Sequence, residues 1–65
     1  MVKVEIKDSK VSNAVTVNHG DIEVVIHFYK QNLNLLAGIY NKNDGSMKNI
    51  ANIYKNGMIE VMSWK

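Results

Sequence analysis

Few side chains in this chain are equipped for chemistry. There are two histidines, His19 and His27, and no cysteine. No thiolate is available to join them at a metal. His19 falls in a turn, and His27 points away from its apolar strand neighbours Ile26 and Phe28, so packed or solvated imidazoles account for both. Asp21 and Glu23 stand two apart and share one side of a strand. Paired-carboxylate catalysis instead needs two groups held across a cleft. The glycines, Gly20, Gly38, Gly45 and Gly57, are too dispersed to cradle a phosphate and suit turns, with Gly38 a candidate bulge. The expectation is a protein that is not an enzyme and holds neither metal nor cofactor.

The basic residues offer one alternative. All are lysine, and the net charge is only +2. Without arginine the planar fork that reads phosphate or guanine bidentately is missing. In a meander, however, Lys7, Lys10, Lys30 and Lys55 gather at one end of the sheet, with Tyr29 and Tyr54 beside Lys30 and Lys55. A lysine rim with nearby aromatics is a minimal kit for backbone contact and base stacking on a small barrel. A solvated rim that blunts strand edges is the plainer reading.

These residues are positioned by strands. Met1–Lys7 alternates apolar and charged residues, with Val2, Val4 and Ile6 on one side. Asn13–Tyr29 reads as a hairpin turning at His19-Gly20, which pairs Val17 with Ile22 and Val15 with Val24. A turn at Asp8-Ser9 pairs Ile6 with Val11, and one at Gln31-Asn32 sets Phe28 against Leu35. Asp44-Gly45 and Asn56-Gly57 are the strongest two-residue turn signals, pairing Ile39 with Ile50, Leu35 with Tyr54, and Tyr54 with Ile59. The fold expected is all-β: a six-stranded antiparallel meander forming a small barrel or strongly bent sheet. Residues 46–55 also fit a short helix packed on a five-stranded antiparallel sheet, with Ser46 as N-cap and Gly57 beyond the end.

Composition sets the scale. At 65 residues, 46% hydrophobic and 22% charged, the chain is one small domain, residues 1–65, of ordinary globular balance. A domain this size buries only about 60% of its unfolded surface, and without disulfides the remaining staple is association. No apolar run approaches the ~20 residues of a membrane-spanning helix, and the start lacks a signal-peptide core, so a cytoplasmic location is expected. Abundant Asn and Lys with no Arg or Pro suit an AT-rich coding sequence of bacterial or mobile-element origin.

The alternation also leaves a second apolar side in the carboxy-terminal half. Val25, Leu36, Tyr40, Ile53, Met58, Met62 and Trp64 fall opposite the expected core, and contiguous apolar patches of that kind mark interfaces. The expected role is therefore a protein-interaction module, self-associating as a homodimer and acting as accessory or inhibitor of a partner protein.

Overall fold

The computed structural model describes residues 1–43 and 45–62. Among them six strands form one antiparallel sheet in chain order: β1 (Val2–Asp8), β2 (Ser12–His19), β3 (Ile22–Tyr29), β4 (Leu35–Asn43), β5 (Ser46–Tyr54) and β6 (Ile59–Val61). The sheet is not closed, so the bent-sheet form of the expected meander is the one adopted. Each strand packs only on its neighbours in sequence, and the 19 Å depth of this single layer reflects its twist and coil. No helix covers it. Residues 46–54 continue the ladder from β4, opening at the pair Asn43 and Ser46, and their asparagines are used on the sheet, not on a helix. Asn49 Nδ2 donates to Ile39 O and Ala51 O, both at 3.2 Å.

The turns sit near the expected places, with shifted centres. Gly20 (φ +61°) is the first central residue of the β2–β3 turn, closed by His19 and Ile22, the position that a II′ hairpin reserves for glycine. Val17 therefore faces Val24, and Val15 faces Ile26. Between β1 and β2 the turn is held by Ser9, whose Oγ donates to Ser12 O at 2.9 Å, so Ile6 faces Val15 instead of Val11. After β3, Asn32 Oδ1 accepts from the amides of Asn34 and Leu35 at 2.9 and 2.8 Å. This side-chain turn sets Phe28 against Ala37 instead of Leu35. The pairing of Leu35 with Tyr54 is as expected; Asp44, in the turn before β5, lies outside the described residues.

Three one-residue events change which side chains share a side; the first makes Leu36 an extra residue between the pairs Leu35 with Tyr54 and Ala37 with Ile53. The register of β4 on β5 slips between Ile39 and Tyr40, so that Ile39 faces Ala51 and Ile50 is the extra residue of a bulge; Ile39 and Ile50 are therefore not partners. At the last hairpin, Tyr54 N donates to Met58 O at 2.9 Å and Ile53, not Tyr54, faces Ile59. Gly57 (φ +93°) is thus the left-handed third residue of a three-residue loop, and not the second of two.

Cross-strand partners share a face, which defines two surfaces. The first face carries Val2, Val4, Ile6, Val15, Val17, Ile22, Val24, Ile26, Phe28, Ala37, Ile39, Ala51, Ile53, Ile59 and Val61, with the polar Asp8, Asn13, His19, Asn41 and Lys48 toward its ends. The reverse face carries Lys3, Glu5, Lys7, Thr16, Glu23, Val25, His27, Gly38, Tyr40, Lys42, Asn49, Asn52 and Glu60. Burial is slight: Val25, Ala37, Ile50 and Ala51 are the buried apolar residues, and among the described residues no large side chain is fully enclosed.

Candidate functional site

The first face is the largest functional feature. Domains ordinarily pack two layers around one core; here one layer stands alone, and the side chains that would line the core face water. Val2, Val4, Ile22, Phe28 and Ile59 are exposed, Ile6 at 73% and Val61 at 76%. Together these seven offer on the order of 700 Å² of apolar side-chain surface, close to the ~800 Å² each partner contributes to a standard interface. The total accessible surface is 4941 Å², against ~4,200 Å² for a compact monomer of this mass. Alternation alone assigned these residues to an interior. The missing signal was arithmetic: one meander of short strands contains no second layer to cover them.

The reverse face is polar and internally paired. The Tyr29 and Tyr40 hydroxyls are hydrogen bonded at 2.8 Å, and the His27 ring meets Tyr40 edge-on with centroids 5.4 Å apart. The bond to Tyr40, aided by burial, pushes the Tyr29 phenol up to about 12. Ser12 Oγ lies 3.5 Å from His27 Nδ1, too long for a strong bond. Nearby, Glu60 Oε1 accepts from Tyr54 OH at 2.9 Å and from Asn52 Nδ2 at 3.2 Å. Those bonds lower the Glu60 carboxyl, Asn52 contributing most, and raise the Tyr54 phenol. Lys42 pairs with Glu23 at 3.4 Å. The network ties side chains to one another over an open surface.

The expected apolar patch is divided. Val25 is 7% exposed and hence inaccessible, and Tyr40 is committed to Tyr29 and His27. The Ile50 bulge carries Ile53 to the first face, opposite Ala37 and Ile59. Leu36, Met58 and Met62 are exposed, Leu36 as the extra residue of a second register shift on β4. Trp64 lies outside the described residues.

The lysine rim does assemble at one end. Lys7 is the last residue but one of β1, Lys10 lies in the β1–β2 turn, and the loops bearing Lys30 and Lys55 are stitched to their neighbours by Lys30 N to Val11 O at 3.0 Å and Lys55 N to Asn34 O at 2.8 Å. Asp8 takes Lys30 in a 2.6 Å ion pair, and Tyr29 bonds Tyr40 in place of standing free as a stacking platform. Leu33, Asn34, Tyr54, Lys55 and Asn56 line an open depression of about 490 Å³ at this end. No group of three or more metal-ligating side chains occurs among the described residues, and no helix among them is long and apolar enough to cross a membrane. No protein-family model, no curated protein and no solved structure matches the chain.

Proposed function

We propose that the chain is a small non-enzymatic protein-interaction module, self-associating through the apolar first face of its open sheet and serving a partner protein as accessory or inhibitor. One observation supports this above all: a folded layer whose largest apolar side chains are exposed on the side where a core would form. Covering that face supplies the burial that a lone sheet lacks, at about 25 cal/mol per Å² of apolar area. Sedimentation at micromolar concentration tests the reading. Wild type is expected as an assembly of two or more chains, and Ile22→Lys with Val61→Lys as a smaller, folded species. A wild type that remains monomeric would overturn it.

The lysine rim supports nucleic-acid binding less well, because Asp8 already neutralises Lys30. A low-salt titration with a single-stranded oligonucleotide separates the two readings. Binding that falls steeply with salt and is lost in Lys30→Glu with Lys55→Glu would move the conclusion to the rim.

A further inference from the structure

We propose that β1 pairs antiparallel with β1 of a second copy across a two-fold axis, joining two six-stranded sheets edge to edge. The inference rests on the reading of the chain as a self-associating module and names the partner and the contact.

The two edges of the sheet differ. β6 is three residues long and lies against the bulged strand β5. β1 is seven residues long, pairs with β2 without a register shift, and is exposed throughout. One side of its backbone bonds β2; the other presents unpaired amides and carbonyls to solvent. Exposed edges are commonly blunted by proline, a bulge or a charge turned toward the core. β1 has no proline and no bulge, and its one charge on the first face, Asp8, stands at its far end and is paired with Lys30 at 2.6 Å; Lys3, Glu5 and Lys7 lie on the reverse face, and Val2, Val4 and Ile6 on the first.

The charges specify the second copy. Lys3, Glu5 and Lys7 alternate in sign, and their cross-strand neighbours are the neutral Asn18, Thr16 and Ala14. None of the three is in an ion pair with a described residue. Lysines alone would repel another edge. A glutamate between two lysines makes the strand complementary to itself. With Val4 on the axis, Lys3 of each copy faces Glu5 of the other, and Val2 faces Ile6. With Ile6 on the axis, Glu5 faces Lys7, but Val4 is set against Asp8. The Val4 register satisfies both faces at once and is the one proposed. It also makes the two apolar faces continuous.

The test is a charge exchange, read by sedimentation with far-ultraviolet circular dichroism for folding. Glu5→Lys makes the edge uniformly positive, and Lys3→Glu with Lys7→Glu makes it uniformly negative. Opposed like charges are destabilising in cross-strand pairs, so each variant alone is expected to dissociate at about tenfold higher concentration than wild type, or to halve in mass. Mixing the two variants restores the wild-type mass, and if either unfolds alone, the mixture refolds. If both variants assemble as wild type does while Ile22→Lys with Val61→Lys does not, the edge contact is overturned and the face reading stands. If the variants dissociate but their mixture does not reassemble, the pairing is likewise overturned. A monomeric wild type removes both.

Discussion

The hydroxyls of Tyr29 and Tyr40 meet at 2.8 Å above the bare backbone of Gly38, where a Cβ would stand 2.8 Å from the first oxygen and 3.2 Å from the second. Gly38 is therefore a strand glycine required by what covers it and not by its own dihedral angles. Valine is ordinarily the better strand residue. Here Gly38→Val is expected to destabilise by about 1–2 kcal/mol, because the tyrosine pair must open. Urea midpoints at one protein concentration check this; a stabilised variant would contradict it.

The same pair sets a pH dependence. The Tyr29 phenol is raised from 10 to about 12, so folding favours its protonated form. Its contribution is complete below pH 10 and is lost as pH rises through 12. Unfolding followed across this window should show stability falling by about 1 kcal/mol, and Tyr29→Phe should flatten that fall. A near-ultraviolet titration should place tyrosinate formation by Tyr29 late in wild type and earlier in Tyr40→Phe.

Glu60 works in the acidic range with the opposite sign. Its carboxyl is lowered by bonds from Asn52 and Tyr54, so its contribution is present above the ordinary carboxylate range and fades as pH falls through the lowered value. Glu60→Gln should remove that acid sensitivity and leave the alkaline contribution of Tyr29 untouched, while lessening that of Tyr54, whose phenol Glu60 raises. Glu60 is exposed and Tyr54 only half-buried, so the readout is the shape of the pH profile.

Burial separates two isoleucines. Ile50 is 6% exposed and its carbonyl accepts from Met62 N at 2.8 Å; Ile50→Ala should cost about 2–4 kcal/mol in monomer and assembly alike. Ile6 is 73% exposed, and in an isolated chain Ile6→Ala should cost under ~0.5 kcal/mol. Under the edge and face contacts proposed above, its cost should grow with protein concentration. Chemical denaturation at two concentrations a hundredfold apart, a change worth about 2.7 kcal/mol per dimer at a dimer-coupled midpoint, distinguishes these behaviours.

The strand pattern was legible because the errors in the first three hairpins were even. Moving the partner of Val17 from Ile22 to Val24, or that of Phe28 from Leu35 to Ala37, leaves every side chain on its side. Single-residue events at Ile50 and Gly57 have no such protection. Ile53 crossed to the first face for this reason, and the carboxy-terminal patch divided. The signal at Ile50 was present as poor alternation with two adjacent apolar residues. Its cause is not local, since Asn49 reaches the carbonyl of Ile39 on the neighbouring strand. Exposure of the first face was hidden for another reason: periodicity reports which side chains lie together, not whether anything lies over them.

Because each strand touches only those next to it in the chain, unravelling runs from the margins inward. Amide protons of β1 and β6 should exchange with solvent first, and those in the middle of β4 last. A second molecule zipped onto β1 would protect that margin alone, so the exchange order would become lopsided while β6 continued to fray.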